Sequence, residues 1–160
     1  AEGETSIQET VAKILIDKKV MIAVAESCTG GLVAAKLIEY PGISEVLLEG
    51  AVTYSNEAKK RRLGVKDETL SAYGAVSAET AAEMAKGIAM TSGADIGVST
   101  TGVAGPGPSE EKPEGLVYVG VYMGGKSYVK ELHLAGKRNV IRERAAYSAL
   151  DFLRRKLILD

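Results

Sequence analysis

The stretch "VMIAVAESCTGGLVAAKLIEYPG", Val20 to Gly42, decides how this chain folds. Its first part, "VMIAVAE", is a continuous apolar run, as expected of a strand buried on both faces. Its last part, "LVAAKLIEY", has helical spacing and stops at Pro41-Gly42. Between them lies "SCTGG", in which Ser27, Cys28 and Thr29 are three candidate nucleophiles and Gly30 and Gly31 form a tight turn into the helix. A buried strand that turns at once into a helix is the opening of an α/β fold.

Elements of both kinds extend outward from this unit. Upstream, "TSIQETVAKILIDKKV" reads as a helix, with Thr5 to Gln8 as a capping box and Ile7, Val11, Ile14 and Leu15 as its apolar stripe. Downstream, "VLLEGAVTYS" is a second strand, and Asn56 reads as the N-cap of a helix "EAKKRRL" that ends at Gly64. "DETLSAY" is a short helix and "SAETAAEMAKGIAMTSG" a longer one. "ADIGVSTTG" is a third strand, followed by a Gly/Pro-rich loop from Gly102 to Gly115. "LVYVGVYM" and "SYVKELHL" are strands joined at Gly124-Gly125, a hairpin signal. A closing amphipathic helix, "RNVIRERAAYSALDFLRRKLIL", turns Ile141, Ala145, Ala149 and Phe152 inward. The expected fold is three-layer α/β: helices on both faces of a mixed, partly parallel sheet with a C-terminal β-hairpin. Residues 5–160 are expected to form one domain, with residues 1–4 a tail outside it.

Composition narrows the function classes. The 160 residues are enough for a sizeable core, with 46% hydrophobic and 26% charged residues. A net charge of −1, and no basic patch interleaved with aromatics, argue against nucleic acid as a partner. No apolar run reaches the about 18 residues of a membrane helix. One histidine and one cysteine are too few for a zinc site, and no metal or cofactor is expected.

Two motifs look stronger than they are. "GVYMGGKS", Gly120 to Ser127, matches the phosphate-loop pattern letter for letter. That mechanism needs a helix immediately after it, whereas "SYVKELHL" alternates like a strand. "GVAGPG", Gly102 to Gly107, lacks the dinucleotide glycine order. His133, the sole histidine, sits in the hairpin with nothing near it that fits a Ser-His-Asp triad.

Ligands of open α/β sheets sit beyond the carboxyl ends of the strands. Polar residues gather there: Glu26 to Gly31 after the first strand, Thr53, Tyr54, Ser55, Asn56 and Lys59 after the second, and Ser99 to Gly102 after the third. A serine is a poor nucleophile without a base, and with no suitable histidine a desolvated lysine is the remaining common choice. Ser27 and Lys59 therefore form a candidate Ser-Lys pair; the competing interpretation is a helix-capping serine and a surface lysine of the "KKRR" run. Backbone N–H groups near Thr29 to Gly31, or near Gly102, are candidates for an oxyanion site.

Six blocks in order, "AESCTGG", "GAVTYSNEAKKRRLGV", "GAVSAETAAEMAKG", "STTGVAGPG", "KPEGLVYVGV" and "GKRNVIRERA", give the chain a resemblance to the CinA C-terminal domain family, the nicotinamide-nucleotide amidases of the PncC type. The resemblance implies hydrolysis of the amide of nicotinamide mononucleotide to nicotinic acid mononucleotide and ammonia, in pyridine-nucleotide recycling. It implies Ser27 as nucleophile, Lys59 as active-site lysine, and Tyr54 as a third catalytic residue that donates to substrate or holds the lysine. Thr101 and Gly102 match a pocket-lining pair, and Arg142 matches a C-terminal arginine suited to the 5′-phosphate, with Arg138 assisting. Thr29, Gly30, Gly31, Asn56 and Gly105 complete the expected substrate site, with Thr29 also expected to cap the helix that follows. The loop "GPGPSEEKPEG" is slightly short beside the common family form. A cytoplasmic location, a homodimer or larger homo-oligomer, and no membrane or nucleic-acid partner are further implications. The N-terminal domain of longer CinA proteins, similar to molybdopterin-binding proteins, is not expected within these 160 residues. A second functional class stays open: a nucleotide-binding regulatory module that does no chemistry.

Overall fold

The computed structural model describes residues 5–159. The order of elements is α1 (Ile7–Lys18), β1 (Ile22–Glu26), α2 (Leu32–Ile38), β2 (Leu47–Val52), α3 (Asn56–Leu63), α4 (Asp67–Tyr73), α5 (Ala78–Ser92), β3 (Ile96–Gly102), β4 (Leu116–Met123), β5 (Lys126–His133) and α6 (Arg138–Leu159). Five strands form one open sheet in the order β2-β1-β3-β4-β5. β1 runs parallel to both β2 and β3, and β4 runs antiparallel to β3 and β5, so the sheet is mixed, as the alternation of elements predicts.

The two faces are covered by different helices. α1, α2 and α6 enclose one apolar cluster, in which Leu15, Val24, Val98, Val119, Ala145 and Leu153 meet. α5 packs on the other face against β1, β3 and β4, and Ala23, Ala25, Met84 and Ile88 form a smaller cluster there. That contact depends on Gly97, where an added Cβ would lie 2.0 Å from the Ala85 carbonyl oxygen. β1 is buried along its whole length, because it lies between β2 and β3 in the sheet and is covered on both faces.

Several local expectations shift by a residue or two. The N-cap of α1 is Ser6, which accepts from the Glu9 amide at 3.1 Å, and not a capping box from Thr5. Ser55 caps α3 by accepting from the Ala58 amide at 3.0 Å, which makes Asn56 the first helical residue and not the cap. β2 ends at Val52, and in the segment beyond it the Thr53 and Tyr54 carbonyls accept from the Lys59 ammonium. In α6 Phe152 is only half-buried, its ring lying under the Lys156 ammonium, while Leu150, Leu153 and Leu157 fill the core. Gly124 and Gly125 have φ of 61° and 79° and make the hairpin turn. Ser127 therefore lies in β5 and the phosphate-loop pattern has no helix behind it. Among the described residues no helix is long and apolar enough to cross a membrane. Residues 1–4, expected to be a tail, lie outside the described residues.

Candidate active site

The chain leaves β1 through α2 to reach β2 on one side, and reaches β3 on the other side by way of α3, α4 and α5. The carboxyl end of β1 is thus the point where the strand order reverses, the position at which open α/β sheets bind ligands. The register places Glu26 beside Val52 and Thr100, so the segments that follow β1 and β2 and the end of β3 converge. A cavity of about 480 Å³ opens there, in the usual range for small-molecule sites.

Ser27 and Lys59 meet in this cavity. The Lys59 ammonium donates to Ser27 Oγ at 3.1 Å, to the Thr53 carbonyl at 2.9 Å and to the Tyr54 carbonyl at 3.0 Å. Its three N–H bonds therefore have three acceptors, the full donor capacity of an ammonium. The side chain is 1% exposed, unlike the other members of the "KKRR" run: Lys60 pairs with Asp67 and Glu57, and Arg62 with Glu49. Burial pushes the Lys59 ammonium down from 10.5 to about 8, against the opposing pull of the Glu110 carboxylate. The capping-serine alternative fails on geometry: Ser27 precedes the helix by five residues, and its hydroxyl faces the amine.

Cys28 is a poor rival. It is 7% exposed and packs into the larger apolar cluster, and burial raises its thiol to about 11, so it stays protonated at neutral pH. Thr29 is fully buried, and its hydroxyl donates to Glu26 Oε1 and lies 2.7 Å from Thr100 Oγ1. It does not cap α2. Gly31 holds the cap position with φ 108° and offers no side chain, and the Glu26 carboxylate takes over that task. This function of Glu26 is missing from the sequence reading, which places it on the ligand rim.

The predicted substrate residues divide into two groups. Tyr54, Asn56, Thr101, Gly102, Gly105 and Arg138 line the cavity with Ser27 and Lys59. Tyr54 contributes twice: its carbonyl holds Lys59, and its hydroxyl, on an exposed side chain at the rim, accepts from Arg138 Nη2 at 3.3 Å. Arg138 also donates to the Gly105 carbonyl. Thr101 uses its hydroxyl to hold the Ala75 carbonyl at 2.7 Å. Thr29, Gly30, Gly31 and Arg142 lie behind the turn and not on the cavity wall. Arg142 in particular donates to the Cys28 and Thr29 carbonyls and to Asn139, which occupies its guanidinium away from the pocket. Of the expected oxyanion donors, the Gly30 amide is engaged by the Ser27 carbonyl and the Gly31 amide by Glu26.

The glycine-rich loop is strapped over the cavity. Glu110, which lines it, accepts from the Ala75 and Val76 amides at 3.0 and 3.1 Å. Lys112 donates to the Tyr73 carbonyl at 2.5 Å and also to that of Val76. Neither contact is legible in sequence, because both cross from one loop to another with more than thirty residues between them. His133 is exposed, pairs with Glu131 at 2.6 Å and lies outside the site.

Comparison with known proteins finds relatives over nearly the whole chain. The model of the family described as CinA C-terminal domain matches residues 4–157. A protein of Clostridium acetobutylicum named as competence-damage inducible is 60% identical over 157 residues, covering 98% of this chain and 38% of its own length. A similarly named protein of Clostridium perfringens is 59% identical over 157 residues, with 98% and 38% covered. The chain thus spans a little over a third of the curated relatives it matches. Among solved structures, the competence damage-inducible protein A of Klebsiella pneumoniae superposes with a TM-score of 0.92 at 36% identity, covering 95% of each chain. The competence/damage inducible protein CihA of Agrobacterium tumefaciens gives 0.85 at 42% identity, covering 92% of this chain and 93% of its own.

Proposed function

The chain belongs to the CinA C-terminal domain family, and on that premise we propose that it is an amidase that hydrolyses the carboxamide of nicotinamide mononucleotide by Ser-Lys acyl transfer. The observation that carries the proposal is a buried lysine amine 3.1 Å from a serine hydroxyl, at the wall of a ligand-sized cavity. A lysine near 8 is about one-tenth neutral at pH 7, enough to act as a general base, whereas an ordinary lysine is not.

In the first half-reaction neutral Lys59 takes the Ser27 proton as Oγ attacks the carboxamide carbon. The Cys28 amide, next to the nucleophile in the chain, is the donor assigned to the developing oxyanion. Protonated Lys59 then gives its proton to the departing nitrogen, the C–N bond breaks, and ammonia leaves an acyl-serine ester. Water, deprotonated by the same amine, attacks the ester; the ester C–O bond breaks, Lys59 returns the proton to Ser27 Oγ, and nicotinic acid mononucleotide leaves. The lysine must shuttle between two charge states, and its three acceptors in the charged form and its burial in the neutral form keep the two close in energy. Arg138, and not Arg142, presents a guanidinium to the cavity and is assigned the 5′-phosphate.

Action as one domain over residues 5–160, a cytoplasmic location and assembly into a homodimer or larger homo-oligomer belong to the same proposal. The last is supported by the edge strand β2, which leaves Leu48 and Val52 about half exposed. The test is ammonia release from nicotinamide mononucleotide by wild type beside Ser27→Ala. Release by wild type alone supports the amidase; binding of the nucleotide without release would replace it with a regulatory nucleotide-binding module.

A further inference from the structure

Lys59 and Ser27 reach each other from different elements, so their separation depends on what fixes each one. Lys59 is fixed by the carbonyls of Thr53 and Tyr54, in the segment leading into its own helix. The Ser27 hydroxyl has Lys59 as its one hydrogen-bond partner among the described residues, so it is placed by the backbone of the turn, where the Ser27 amide donates to the Thr100 carbonyl at 3.1 Å and to its hydroxyl at 3.3 Å.

That turn is gripped from two sides by opposite charges. On the core side Glu26, 1% exposed, accepts at Oε1 from the Thr29 hydroxyl, the Gly31 amide at 3.1 Å and the Val33 amide at 2.9 Å, and at Oε2 from the Ala34 amide at 2.9 Å. These amides belong to the first turn of α2, which has no intrahelical acceptors for them. On the outer side Arg142 of α6 donates through Nε to the Cys28 carbonyl at 3.0 Å and through Nη2 to the Thr29 carbonyl at 3.1 Å. Asn139 holds the remaining arm of the guanidinium at 3.0 Å. The carboxylate holds the Thr29 hydroxyl and the Gly31 amide of the turn together with the first amides of α2, the guanidinium holds the Cys28 and Thr29 carbonyls, and neither group lines the cavity.

We propose that Glu26 and Arg142 form a two-sided clamp that positions the nucleophile: they hold the Ser27 turn so that Oγ stays within hydrogen-bond reach of the Lys59 amine, without touching substrate. The inference rests on the assignment of Ser27 as nucleophile and deepens it. It also gives Arg142 a task different from the phosphate contact that the family resemblance implies. A displacement of about 1 Å at a reacting atom costs about a hundredfold in rate, so a loosened turn lowers reactivity even where binding is intact.

The test follows Ser27 with two readouts. One is the rate at which a fluorophosphonate, which phosphonylates an activated serine with loss of fluoride, labels the protein; the other is kcat and KM for nicotinamide mononucleotide. Wild type, Arg142→Gln, Arg142→Lys and Glu26→Gln are compared, with Ser27→Ala as the unlabelled control and thermal unfolding as the check on folding. Arg142→Gln and Glu26→Gln are expected to slow labelling and lower kcat by about tenfold or more, with KM within about twofold of wild type and Arg142→Lys intermediate. If Glu26→Gln does not fold, the two Arg142 variants decide. Folded Arg142→Gln that is labelled at the wild-type rate overturns the clamp. A raised KM with unchanged kcat also overturns it, by placing Arg142 on the substrate. Wild type that is labelled at Ser27 but releases no ammonia overturns the substrate assignment alone, and the labelling rates still decide the clamp. Wild type inert to both overturns the nucleophile and the clamp together.

Discussion

The Lys59 amine lies 3.1 Å from the Ser27 hydroxyl oxygen and has only backbone carbonyls as its other partners. Among the described residues no carboxylate forms an ion pair with it, so burial dominates and its proton is held only to about pH 8. For a general base the neutral amine is the active form, so kcat/KM is expected to rise with pH and level off above about 8. A profile that is flat from pH 6 to 9, or falls across that range, would remove Lys59 as the base.

Ser27, Cys28 and Lys59 should separate cleanly on substitution. In the proposed mechanism Ser27→Ala and Lys59→Met each remove a group of the bond-breaking step, and a loss of about 10³-fold or more in kcat is expected for either. Cys28→Ala removes a buried thiol held protonated, with the expected cost confined to about 1 kcal/mol of packing and activity within a few-fold of wild type. Steady-state ammonia release together with thermal melts of the three variants checks this. Loss of activity in the Cys28 variant alone would transfer the nucleophile to the thiol.

Arg138 offers a cation at the cavity mouth, with the Tyr54 hydroxyl and the Gly105 carbonyl as its polar partners. A charged hydrogen bond to phosphate contributes about 2 kcal/mol. Arg138→Ala is therefore expected to raise KM for nicotinamide mononucleotide by about thirtyfold with a much smaller change in kcat. The phosphate-free nucleoside should be turned over equally poorly by wild type and variant. Equal KM values for the nucleotide in the two proteins would take the phosphate away from Arg138.

Much of this was legible before any coordinates, for reasons visible in particular residues. The strand over "VMIAVAE" could be read because a strand covered on both faces has no polar alternation. Ser27 and Lys59 could be paired because both follow strand ends, where topology gathers side chains from distant parts of the chain. What stayed hidden is the direction of side chains. Glu26 and Arg142 look like rim charges in sequence, yet both turn to the backbone of one turn, since buried amides and carbonyls need partners that Gly30 and Gly31 cannot supply. The straps of Glu110 and Lys112 are invisible for a similar reason: their partners are backbone atoms, which leave no residue-type signature.

Burial of Lys59 also makes stability depend on pH in a definite direction. In the folded chain the ammonium gives up its proton near 8, in the unfolded chain near 10.5. Between these values the unfolded state binds more protons, so the folded state gains stability as pH rises through that window and loses it as pH falls back through about 8. The full effect is on the order of 3 kcal/mol, because the side chain is almost wholly shielded from solvent. Other groups titrate in the same range, so the measurable quantity is a difference between two proteins. Urea unfolding of wild type and Lys59→Met from pH 7 to pH 10.5 should show the wild type gaining on the variant by about that amount. A difference constant with pH would mean that Lys59 keeps its proton in the folded chain throughout, and the amine could not then serve as the base.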